Sequence, residues 1–144
     1  MPSTYDADVV AWSTEQAAFL KSGQFDKLDL DNLAEEILDV GKSEKRELAS
    51  RMAVLLGHLL KWQVQPQRRS SSWEVTIRIQ RRAIRSHVAS VPSLRPVLAD
   101  ASWIDRFWLD ALDLVVRETG IGDLPEHCPW AMADVLTEGW LPAD

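Results

Sequence analysis

The sequence predicts an all-α protein, an antiparallel helical bundle of four main helices plus a short C-terminal helix, forming one domain over residues 1–144. Three observations carry that expectation. Apolar residues recur at helical spacing along almost the whole chain, and the alternation expected of a half-buried strand is absent. Glycine and proline punctuate the pattern at Gly23, Pro66, Pro92 and Gly120, where helices should stop or restart. No internal repeat, low-complexity tract or linker divides the chain, and its length suits one core.

The first helix is expected from about Asp6 to Ser22, with Val9, Trp12, Gln16, Phe19 and Leu20 on one face and Gly23 as its left-handed stop. Asp29 or Asp31 caps the second, and Asp31, Glu35 and Glu36 favour the positive end of its dipole. This helix should continue to about Val64, because Pro66 disfavours helical dihedrals at Gln65. Its core stripe reads Leu33, Ile37, Leu48, Met52, Leu55, Leu59 and Trp62. Gly41 and Gly57 interrupt it, each costing about 1 kcal/mol relative to alanine, and both read as close helix contacts.

Ser71-Ser72-Trp73-Glu74 reads as a capping box that opens the third helix, which runs to about Ser90. Its stripe is Trp73, Ile77, Gln80, Ile84, Val88 and Val91, with an amide at the centre where an aliphatic residue is expected. Ser93 should cap the fourth helix, with Pro96 tolerated in its first turn and an end near Thr119. Its apolar arc is unusually wide, which suits a central position or, failing that, a protein partner or homodimer. A last short helix is expected from about Trp130 to Thr137.

Composition narrows the function classes. The single Cys128 excludes an intrachain disulfide and a cysteine-rich zinc site, and no run reaches the ~18 apolar residues of a membrane span. The opening residues lack the basic and apolar regions of a secretory signal, so a cytoplasmic protein is expected, with no membrane partner. Net charge is −6, yet the window 61–85 holds seven basic residues against Glu74 alone, making it +6 and the remainder −12. An acidic body with one basic patch disfavours general nucleic-acid binding and suits an anionic ligand or acidic partner. Arg68, Arg69, Arg78, Arg82 and Arg85 are the anion-site candidates, near the amides that open the third helix.

Glu44, Arg51, His58 and Gln65 lie seven residues apart, in a row along one flank of the second helix. Counting turns back from the proline junction sets Gln80 roughly opposite His58, with Arg51 and Arg81 near, so these four are ligand-binding candidates. A hydrogen-bonded network that fixes helix register is the favoured reading of the cluster. The enzymatic alternative uses His58 with Glu44 or Glu36 as acid and base. His58, His87 and His127 match no zinc-ligand spacing, a Cys128 nucleophile beside His127 is disfavoured, and no cofactor motif is present. No metal or cofactor is therefore expected.

Spaced matches give a resemblance as well. Leu33-Ala34-Glu35-Glu36-Ile37, Gly41 to Leu48, Leu59-Leu60-Lys61-Trp62-Gln63, Gln65-Pro66, Arg69-Ser70, Ser72-Trp73, Ile77, Gln80-Arg81 and Cys128-Pro129-Trp130 together resemble the bacterial domain-of-unknown-function 29 family. The resemblance covers nearly the whole chain and implies an all-helical bacterial domain. It implies no activity and supplies no catalytic residues. The expectation is thus a helical binding or interaction module whose activity the sequence leaves open.

Overall fold

The computed structural model describes residues 4–144, and every regular element in them is helical. Met1 to Ser3, at the start of the segment read for a secretory signal, lie outside the described residues. The helices are α1 (Val9–Lys21), α2 (Leu30–Val64), α3 (Ser71–Ser90), α4 (Arg95–Ala99), α5 (Ala101–Thr119) and α6 (Met132–Val135). Short 3-10 turns at Phe25–Lys27, Pro66–Arg68 and Pro92–Leu94 carry three of the connections. Two compact units result, residues 1–43 and residues 44–144.

In the first unit Asp8 caps α1 by accepting the Ala11 amide at 3.0 Å, and Gly23 takes the left-handed conformation that ends it. Buried Trp12 and Gln16 both turn toward Asp29: Trp12 Nε1 donates to its carboxylate at 3.0 Å, and Gln16 Oε1 accepts its amide at 2.8 Å. The polar Gln16 on the apolar face of α1 therefore holds the entry to α2. Tyr5 Oη donates to Glu36 at 2.5 Å in the same unit. Ile37, expected in the core stripe of α2, is instead 71% exposed, and its neighbours Leu38 and Val40 are exposed too.

The second unit holds the main core. Leu48, Met52, Leu55, Leu56, Leu59 and Leu60 of α2 meet Ile77 and Ile84 of α3, Leu94, Val97, and Phe107, Trp108, Ala111 and Val115 of α5. Gly57 faces α5, and a Cβ built there would make an ordinary van der Waals contact 3.7 Å from the Ala111 carbonyl oxygen. Gly41 meets nothing within 4 Å, so only one of the two glycines marks a helix contact. Trp108 anchors the C-terminal loop by donating Nε1 to the Pro125 carbonyl at 2.8 Å. Trp130 stacks edge-on against both Trp108 and Trp140, so three of the seven tryptophans hold the last 20 residues to the core.

Several boundaries differ from the sequence expectation: α1 begins at Val9 rather than near Asp6, and the last helix covers only Met132–Val135 rather than Trp130 to Thr137. The cap of α3 is Ser70, whose hydroxyl accepts the Trp73 amide at 3.3 Å, so no capping box forms with Glu74. Three consecutive serines can all cap, and the turn at Pro66–Arg68 delivers an extended backbone to the first of them. The expected fourth helix is two: Asp100 adopts an extended ψ of 122°, breaking the run, and its side chain caps α5 through the Trp103 amide. Leu109 and Val116 on α5 stay exposed, so part of its wide apolar arc faces outward.

Candidate functional site: an arginine-lined groove on α3

At ~100° per residue, Arg81, Arg85, Arg78 and Arg82 follow one another around the side of α3 beyond its buried stripe. The C-terminal segment runs past this side. Between them lies a groove of about 350 Å³ lined by Glu74, Ile77, Arg78, Arg81, Arg82, Arg85, Glu138, Gly139 and Leu141. Ile77 and Leu141 supply an apolar floor, and four arginines face two glutamates.

The arginines are not equivalent. Arg81 is buried, at 3% exposure, and both its bonds go to backbone: Nε to the Val135 carbonyl at 2.8 Å and a terminal nitrogen to the Trp140 carbonyl at 2.5 Å. Burial pushes its pKa below the ordinary arginine value, with Arg85 adding to the effect and Glu138 opposing it. Arg81 is therefore a fastening for the chain end. Arg85 reaches the Leu136 carbonyl at 3.0 Å and keeps half its side chain in solvent. Arg82 and Arg85 share the Glu138 carboxylate at 3.7 and 3.8 Å, both longer than a hydrogen bond. Arg78 is exposed and has no hydrogen-bond or ion-pair partner among the described residues. Three guanidiniums can thus turn toward a ligand while the fourth holds the wall.

The other candidate positions scatter. His58 Nδ1 lies 2.8 Å from the Val54 carbonyl of its own helix, so its neutral form carries the proton on Nδ1 and donates it there. Burial lowers its pKa below the ordinary histidine value, opposed by that hydrogen bond. Glu44 lies 14 residues before it on uninterrupted α2, about 21 Å away at helical rise, so the two share no proton. The partner of Glu44 is His87 of α3, and Glu47 stands 3.5 Å from the same His87 nitrogen. Glu36 is engaged by Tyr5. No catalytic pair is assembled around His58.

Pairing across α2 and α3 explains the displacement. Lys61 Nζ stands 5.2 Å from the Trp73 ring and His87 meets Glu44 and Glu47, a register that sets Gln80 opposite the turn 51–54. Gln80 Oε1 is buried with no hydrogen-bond partner among the described residues. Arg51 pairs with Glu47 at 3.3 Å, within its own helix. Arg69 is spent on the chain: it donates to the Trp62 carbonyl at 2.8 Å, packs 5.0 Å from the Trp62 ring and pairs with Asp144. Arg68 is exposed beside a shallow surface dip lined also by Lys61, Gln65, Trp73, Glu118 and Thr119. The five anion-site candidates, Arg68, Arg69, Arg78, Arg82 and Arg85, therefore do not form one face. Cys128 is half-buried, its thiol pKa raised by burial, and its neighbour His127 faces Asp105 at 3.7 Å instead.

The family model for the domain of unknown function DUF29 matches residues 4–141, nearly the whole chain. The chain belongs to the DUF29 family. No curated protein and no solved structure matches it. The DUF29 match spans every residue of the α3 groove, from Glu74 to Leu141, and carries no activity with it. Among the described residues no helix of this DUF29 chain is long and apolar enough to cross a membrane.

Arg78, Arg82 and Arg85 were legible as part of a basic window, since their spacing of three and four puts them on one side of α3. Glu138 and Leu141 were not. They come to the groove by way of Arg81 and the tryptophan contacts, more than 50 residues on in sequence.

Proposed function

We propose that this chain is a cytoplasmic interaction module that binds an acidic segment of a partner protein in the α3 groove. The observation that carries the reading is the unequal use of the four arginines. One fixes the wall, one has no partner, and two hold a single shared carboxylate at long range. Guanidinium groups favour carboxylates through paired N–H donors, so Glu138 stands where a ligand carboxylate would bind. Exposed Val75 and Ile79 flank Arg82 on the outer side of α3 and offer apolar contact to the same partner. A net charge of −6 disfavours nucleic acid as the occupant. A lone free cysteine suits a reducing compartment.

Fluorescence polarisation with a labelled glutamate- and leucine-rich peptide tests this. Binding should weaken with salt and fall about tenfold or more in Arg78→Ala/Arg82→Ala, because each charged contact is worth about 1 kcal/mol or more. Glu138→Gln should bind more tightly, since it removes the internal competitor. An affinity indifferent to both variants, or a preference for single-stranded DNA over the peptide, would sink the reading.

A further inference from the structure

We infer that Glu44, Glu47 and His87 form a binding site for a divalent transition-metal ion of the Zn²⁺ class. The two glutamates stand three residues apart on α2 and so share a face, and His87 meets them from α3. One ligand atom from each lies within 4.8 Å of the other two. Donors in a tetrahedral zinc shell stand about 3.3–3.6 Å apart, at bond lengths of about 2.0–2.2 Å. The Glu47 oxygen, 3.5 Å from the His87 nitrogen, already stands at that spacing, and Glu44, which now hydrogen-bonds the same nitrogen, would draw back to admit the ion.

The histidine makes this more than an acidic surface. Its side chain is nine-tenths buried, and its Nδ1 is sealed from solvent with no hydrogen-bond partner among the described residues. Only Nε2 can reach a ligand, and Nε2 is the atom aimed at both carboxylates. Two like charges one turn apart converge on that nitrogen, and Arg51 offsets only Glu47, from the side, at 3.3 Å. A doubly charged ion would neutralise both carboxylates at once. The imidazole nitrogen selects against Mg²⁺ and Ca²⁺, which prefer all-oxygen shells. With three protein ligands, a fourth tetrahedral position is open to water or to a partner's side chain. The site lies on the opposite flank of α3 from the arginine groove, so the two inferences stand apart.

The test is calorimetric titration of the metal-stripped full chain with ZnCl₂, followed by histidine-ring NMR and thermal melting. One ion should bind per chain, shifting the His87 ring signals and raising the melting temperature as ligand linkage requires. Glu47→Gln, on an exposed face, should keep the fold by circular dichroism and weaken binding by about tenfold or more. Arg51→Ala should tighten it, by releasing Glu47. His87→Gln should abolish it. No uptake at millimolar Zn²⁺, or undiminished binding in well-folded Glu47→Gln, overturns the assignment. So does NMR that places the ion at His58 or His127.

Discussion

Replacing Arg81 by methionine isolates what a buried guanidinium does in this fold. Methionine keeps the apolar stem and removes only the charged head. The head makes two hydrogen bonds to main-chain carbonyls, at 2.8 Å to Val135 and 2.5 Å to Trp140. Hydrogen bonds from a charged group contribute about 1.5–3 kcal/mol each, so the gross loss is about 3–6 kcal/mol. Relief of the desolvation cost that lowers the Arg81 pKa returns part of it, leaving an expected net loss of about 3 kcal/mol. Arg85→Met serves as the control. It gives up one bond of 3.0 Å from a half-exposed side chain, for an expected loss below about 1 kcal/mol. Urea unfolding at neutral pH measures both. Hydrogen exchange in Arg81→Met should quicken first at residues 135–141, which form the far wall of the groove. A loss under about 1 kcal/mol in Arg81→Met, or unchanged exchange in that segment, would show that the tryptophan contacts hold the chain end without Arg81.

Two further outcomes follow from burial and backbone geometry. The pKa of His58 in the folded chain lies below its unfolded value of about 6.5, so the unfolded chain binds the proton first as pH falls. The stability it contributes is complete above about pH 6.5 and is lost as pH drops through the folded pKa. An NMR titration should place the His58 midpoint below 6.5, and His58→Gln should flatten the slope of stability in that window; a midpoint at or above 6.5 contradicts the burial argument. Gly41→Ala places a methyl where nothing lies within 4 Å, so it should stabilise α2 by about 1 kcal/mol through helix propensity alone. A lower melting temperature in that variant would mean that Gly41 serves some contact after all.

Helical class, the order of the four long periodic segments and the apolar stripe of α2 from Leu48 to Leu59 were all written in the sequence. Those features depend on spacing and on the fixed period of a helix, which any local stretch displays. The cap of α3 was legible to within a residue, Ser70 rather than Ser71, whereas Ser93 caps no helix and Asp100 opens α5 seven residues further on. Which serine caps depends on how the preceding turn delivers the backbone, and that is not a property of the serines.

What tertiary structure alone decided was pairing. His87 found Glu44 and Glu47 because α2 and α3 meet in a register that counting from Pro66 set about one to two turns too far toward the junction at His58. Gln80 is legible in the sequence as an amide in an apolar stripe, but its surroundings are not. Arg69 and Arg81 looked like members of one basic patch and proved to be fastenings for the C-terminal segment. The physical reason is common to all of them. A charged side chain is spent on whichever carbonyl or carboxylate the fold brings within reach, and the partners of Arg69, Arg81 and His87 lie between 7 and 75 residues away. Sequence determined which residues carry charge and which faces are apolar; contact between helices and the returning chain end decided which charges stayed free to bind.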